Sequence, residues 1–129
     1  MRLLVDAHAL LWWLDADRRL PAPAREAIET ADDPLLGAGT LIEIAVKRSI
    51  GKLAIDADWP DQARADGFSV LAVAWGHVAR LQELPFPEHA GRPHRDPFDR
   101  LLAAQALVEG LPIVTRDAAF AAYGVAAIW

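Results

Sequence analysis

Short apolar runs alternate with helical stretches along the whole chain, and this alternation restricts the fold more than any other feature. RLLVD at residues 2–6 is an apolar run closed by an acid, and it predicts a buried strand. Further strands are predicted at 35–38, 68–73, 112–115 and 125–129. Between them the pattern predicts helices at 8–14, 23–30, 40–50, 59–65 and 75–84, another running from Asp96 to a stop at Gly110, and a short one at 118–123. The segment PFPEHAGRPHR, residues 85–95, has three prolines and a glycine and predicts a loop. Strands that alternate with helices build βαβ units. The expected architecture is therefore α/β, a mainly parallel sheet with helices on both faces, in a single domain spanning 1–129. In such folds a ligand lies outside the carboxyl ends of the strands.

Acids fall at those ends. Asp6 closes the first strand, and Asp117 follows IVTR two residues past Thr115. Each also suits a helix N-cap. Glu43 lies in TLIEIAVK, where Thr40 and Glu43 have the spacing of a capping box and Glu43 and Lys47 that of an i,i+4 ion pair. Asp96 precedes Pro97, and proline is favoured at the first helical position, so Asp96 is the expected N-cap. Asp99 shares its helix face and sits beside Leu102, Ala103 and Ala106, where an unpaired charge is costly. The remaining aspartates lie in polar or turn-like stretches and are read as solvated surface.

Acids gathered at one end of a sheet repel and raise one another's pKa unless a cation joins them. The chain has no cysteine, so disulfides and thiolate metal sites are excluded and a reducing cytoplasm is the expected location. Oxygen-only ligands point to a hard divalent ion, Mg²⁺ or Mn²⁺, and such ions serve phosphodiester cleavage. No apolar stretch approaches the roughly 20 residues of a membrane span, and no signal peptide is read. His8 is expected to pack or to support the acids from behind, His94 to be a loop residue, and the five tryptophans to be mostly core. There is no G-x-S-x-G motif, which leaves a histidine-based hydrolase without a nucleophile.

Taken together, LLVDAHALLWWL, TLIEIAVKRSIGKL, HRDPFDRLLAAQA and IVTRDAAFAAYGVAAIW resemble, in order and from end to end, the PIN-domain ribonucleases, specifically the VapC-like toxins of bacterial toxin–antitoxin pairs. The resemblance implies a three-layer α/β/α fold with a central, mainly parallel sheet. It places the family's acids at Asp6, Glu43, Asp99 and Asp117, with Asp96 an extra acid at the edge of the site. It implies Mg²⁺- or Mn²⁺-dependent endoribonuclease activity, a homodimer, and a cognate antitoxin through which alone the protein meets operator DNA. One departure is Ala7, where the family usually has a hydroxyl residue after the first acid.

The net charge of −5 runs against phosphate binding, but the five acids of the expected site account for all of it. Arg92, Arg95, Arg100 and Arg116 lie beside those acids in sequence and are candidates to hold RNA phosphates. Two other readings compete. A phosphatase or phosphoacceptor receiver domain lacks support, because Asp6 is followed by alanine and the middle strands carry no acceptor aspartate. A catalytically weak module that binds an antitoxin and, with it, operator DNA is favoured by Ala7 and opposed by retention of every acid.

Overall fold

The computed structural model describes residues 1–129. Its strands are β1 (Arg2–Val5), β2 (Asp33–Gly37), β3 (Ser69–Leu71), β4 (Glu88–His89), β5 (Arg92–Pro93), β6 (Ile113–Val114) and β7 (Ala127–Ile128). Its helices are α1 (Ala7–Leu14), α2 (Ala22–Thr30), α3 (Ala38–Ser49), α4 (Trp59–Ala65), α5 (Trp75–Glu83), α6 (Pro97–Glu109) and α7 (Ala119–Ala122). Five strands form one sheet in the order β3-β2-β1-β6-β7, and every pairing within it is parallel.

β1 is central, and its sequence shows why. Side chains alternate across a strand, so Leu3 and Val5 face one side of the sheet and Leu4 the other. All three are fully buried. Leu3 and Val5 pack with Leu10 of α1, Ile28 of α2, Ile44 of α3 and Trp59 of α4. Leu4 packs with Leu35, Leu102 of α6, Ile113 and Phe120 of α7. A strand covered on both faces reads as a continuous apolar run. The result is the expected three-layer α/β/α arrangement, and each fully buried leucine contributes about 1.5–3 kcal/mol to holding it. No helix is long and apolar enough to cross a membrane.

Three local expectations are corrected. The third helix starts at Ala38, not Thr40; its N-cap is Gly37, and Thr40 is buried within it, so the Thr40–Glu43 capping box does not form. The cause is close packing of α3 on α6. A Cβ at Gly37 would stand 2.6 Å from Gln105 Oε1, and one at Gly39 would stand 2.7 Å from Leu101 Cδ2, so a larger residue at either position would have to displace those side-chain ends. The expected loop 85–95 contains an antiparallel hairpin, β4–β5. Its turn residues Ala90 and Gly91 both have positive φ, 53° and 78°, the geometry that matches strand twist. Finally, Trp12 and Trp59 are buried as expected, but Trp75 is 91% exposed.

Candidate active site

The carboxyl ends of β1 and β6, the first turns of α1 and α6, and the middle of α3 enclose a cavity of about 420 Å³. Asp6, Glu43, Asp96, Asp99 and Asp117 all line it. The only cationic lysine or arginine side chains there are those of Lys47 and Arg116.

Each acid is held by its local backbone. Asp6 caps α1, with Oδ1 accepting from the Ala9 amide at 2.8 Å, while Oδ2 accepts from the Thr115 hydroxyl. Thr115 Oγ1 also accepts from the Asp117 amide at 3.0 Å, so one hydroxyl ties the end of β1 to the turn after β6. Asp117 Oδ1 accepts from the Ala119 amide at 2.9 Å. Asp96 caps α6, its Oδ1 accepting from the amides of Phe98 and Asp99, both at 3.0 Å. That leaves Asp99 free to point elsewhere, although it is one turn further in. Its Oδ2 lies 3.3 Å from His94 Nε2. Glu43 pairs with Lys47 at 2.8 Å across one turn of α3.

The electrostatics follow from this crowding. The Asp99 carboxyl is pushed up to about 7, first by burial and then by repulsion from Asp96, Asp117, Glu43 and Asp6. Asp6 is also raised above the ordinary carboxyl range, because its burial outweighs the hydrogen bonds from Thr115 and Ala9. The Lys47 ammonium is held above its usual value, chiefly by its hydrogen bond to Glu43, with Asp96 and Asp99 contributing. Concentrated negative charge with few donors to neutralise it is the chemistry of a site for a hard cation. The side chains line the walls of the cavity, and no three acidic or imidazole groups already stand spaced as ligands of one ion.

The arginines divide. Arg116 lines the cavity and lies over the Trp12 ring, 4.9 Å from its centroid. Arg92 and Arg95 are exposed outside it. Arg100, expected to face RNA, is corrected: it is buried, donating to the carbonyls of Pro85 and Leu84 and to the Tyr123 hydroxyl, with its guanidinium 3.9 Å from the Phe86 ring centroid. The reason is its place in α6, where its face turns to the incoming chain at residues 84–86 rather than to the cavity.

His8 is exposed, lines the cavity and meets Trp12 edge-on. Sequence reasoning missed three participants. Thr115 was legible as a hydroxyl two residues before an acid at a strand end. His89, which lines the cavity with Nε2 3.6 Å from Asp117, comes from the hairpin; its Ala-Gly turn carries no recognisable signal, since Asn-Gly or Asp-Gly is the usual marker. Tyr123, from the end of α7, reaches His94.

Comparison with known proteins gives a consistent picture. The PIN domain family model matches residues 3–126. Ribonuclease VapC22 of Mycobacterium tuberculosis (strain ATCC 25618 / H37Rv) is 32% identical over 120 residues, covering 89% of this chain and 86% of that protein. Among solved structures, VapBC2 from Rickettsia felis bound to a promoter DNA fragment superposes with a TM-score of 0.67 at 12% identity, covering 98% of this chain and 97% of that one. A toxin–antitoxin complex from Klebsiella pneumoniae superposes with a TM-score of 0.58 at 15% identity, covering 89% and 86%.

Proposed function

The chain belongs to the PIN domain family, among its VapC-like ribonucleases, and from that premise we propose that it is a divalent-metal-dependent endoribonuclease, the toxin of a toxin–antitoxin pair. One observation carries the catalytic part: five carboxylates from four separate stretches of the chain line one cavity, and burial together with their repulsion pushes the Asp99 carboxyl up to about 7. A fold gains nothing from such a cluster without a cation. Asp6, Asp99, Asp117 and Glu43 are the residues to hold Mg²⁺ or Mn²⁺, with Asp96 at the edge because its Oδ1 is committed to the helix amides. When bound, such an ion supplies acidified water and polarisation of the phosphate.

The chain's own residues do the rest. Thr115 fixes Asp6 and the Asp117 turn relative to each other. Lys47 holds Glu43 in place. Arg116, mounted on Trp12 at the cavity wall, provides a positive charge for a flanking phosphate, and the exposed Arg92 and Arg95 provide more. The family premise adds the protein partner: a cognate antitoxin, with operator DNA met through it, and a homodimer as the active form in the cytoplasm.

The test is incubation of the purified protein with RNA and Mn²⁺ or Mg²⁺, with and without chelator and with and without the antitoxin. Cleavage that requires the ion, is abolished in Asp99→Ala and is suppressed by antitoxin is expected. Ala7 lines the cavity and offers no hydroxyl, which favours the weaker module as the second reading. Antitoxin binding without any ion-dependent cleavage would establish it and overturn the nuclease assignment.

A further inference from the structure

The loop ahead of α6 carries a hydrogen-bonded chain that ends on Asp99. Arg100 Nη1 donates to the Tyr123 hydroxyl at 3.2 Å. The Tyr123 oxygen lies 2.6 Å from His94 Nδ1, and His94 Nε2 lies 3.3 Å from Asp99 Oδ2. The His94 side chain is 9% exposed, so both ring nitrogens depend on these partners rather than on water. His89 closes the other side of the ring in an edge contact, with centroids 5.8 Å apart. Arg100 is itself fixed by the carbonyls of Leu84 and Pro85.

Arg100 fixes one direction in this chain, and the shortest contact favours the other. Arg100 can only donate, so the Tyr123 oxygen accepts from it. The tyrosine proton then has two acceptors within reach: His94 Nδ1 at 2.6 Å and the His94 carbonyl at 3.4 Å. The carbonyl contact lies beyond the usual O–H···O range of about 2.5–3.0 Å, so the nearer acceptor is favoured. In that arrangement Nδ1 is the acceptor and the ring proton sits on Nε2, facing Asp99 Oδ2.

We propose that His94 is a positioning residue for Asp99, its Nε2–H aiming the carboxylate into the cavity and its tautomer set by Tyr123 and Arg100. This inference rests on the nuclease reading for its consequence, though not for its geometry. A ligating carboxylate that is itself hydrogen-bonded has a fixed orientation, and losing such a support typically costs about 10–100-fold in metal affinity or activity. The arrangement also explains why Arg100 is buried rather than facing substrate: it anchors the far end of the chain.

The geometry is tested first without metal or RNA. Nitrogen-15 NMR of the imidazole side chains in the chelated wild-type protein at pH 8 should show His94 with a bare Nδ1 and a protonated Nε2. A proton on Nδ1, in either a neutral or a charged ring, overturns the proposal. Variants then test the consequence. The side-chain amide of glutamine reproduces the Nε2 donor position, and that of asparagine the Nδ1 position. His94→Ala and His94→Asn should weaken Mn²⁺ binding, read by calorimetry, and RNA cleavage by about 10–100-fold. His94→Gln should recover most of both losses, and Tyr123→Phe should fall between. If His94→Gln is as impaired as His94→Ala while melting like the wild type, His94 does not act through its Nε2 donor. A wild-type protein that binds Mn²⁺ but cleaves no RNA overturns the nuclease reading instead, and the tautomer and Mn²⁺ measurements still decide the role of His94.

Discussion

Replacing Asp99 by asparagine should make the metal-free protein more stable, and by an amount that depends on pH. In the folded protein the carboxyl is pushed up to about 7, whereas in the unfolded chain it ionises near its ordinary value. A folded pKa above the unfolded one means that the native state holds its proton longer. Stability is then lost as pH rises from about 4 to about 7, and the loss is constant above that. Raising a carboxyl from about 4 to about 7 amounts to about 4 kcal/mol once it is ionised in both states. The Asp99 side chain is 27% exposed, and water on that portion screens the charge to about half the effect. Asparagine also forgoes the favourable dipole interaction of an acid in the first turn, about 0.3–1 kcal/mol, but keeps an oxygen to accept from His94. The net gain for Asp99→Asn is about 1–2 kcal/mol at pH 8 and about a third of that at pH 5. For a chain of 129 residues that is about 4–7 °C in melting temperature at pH 8. Calorimetric melts in chelator at both pH values read this directly. Adding Mg²⁺ should raise the wild-type melting temperature and leave that of Asp99→Asn almost unchanged. An Asp99→Asn variant that melts below the wild type at pH 8, or that shows the same difference at pH 5 as at pH 8, would refute the argument that Asp99 stands in a repulsive, metal-hungry cluster.

Other substitutions separate the roles of neighbouring residues. Thr115→Val strips Asp6 of its buried hydroxyl partner, and urea titration at pH 7 should show a loss of about 1–3 kcal/mol together with weaker Mn²⁺ binding. Arg100→Met leaves the Leu84 and Pro85 carbonyls and the Tyr123 hydroxyl without their donor, so it should destabilise by about 2–4 kcal/mol. Arg95→Ala should stay within about 0.5 kcal/mol of the wild type while weakening RNA binding, measured by salt-dependent filter binding; equal stability losses for the two would contradict the assignment of Arg100. Asp96→Ser retains a side chain suited to capping α6, so it should keep measurable cleavage at high Mn²⁺ with reduced affinity for the ion. Complete inactivity at saturating Mn²⁺ would place Asp96 among the direct ligands.

Much of the site could be read in order along the chain because parallel α/β folds deliver strand ends to one edge. Asp6 follows β1 directly, Asp117 lies in the turn just after β6, and Asp96 and Asp99 open a helix whose proline marks its start. What could not be read was which way each side chain would turn. Arg100 and Asp99 are adjacent in sequence, yet one spends its donors on the backbone of residues 84–85 while the other lines the cavity. Glu43 looked equally suited to a capping box and to an ion pair. Packing decided between them, because Gly37 and Gly39 let α3 begin early and leave Thr40 inside the helix.

The sequence by itself determined the architecture, since short apolar runs alternating with helical stretches build a parallel sheet covered on both faces. It also determined the inventory of acids and the absence of any thiolate ligand. Tertiary structure alone decided the connections across the chain. The Thr115 hydroxyl bonds Asp6 over 109 residues of separation, and Tyr123 reaches His94 over 29. Such bonds leave no local pattern, because their geometry is set by how the sheet and helices stack rather than by spacing along the chain. The β4–β5 hairpin that brings His89 to Asp117 is of the same kind: an Ala-Gly turn has no strong preference for positive φ at its first residue, and the fold around it supplies what the sequence does not.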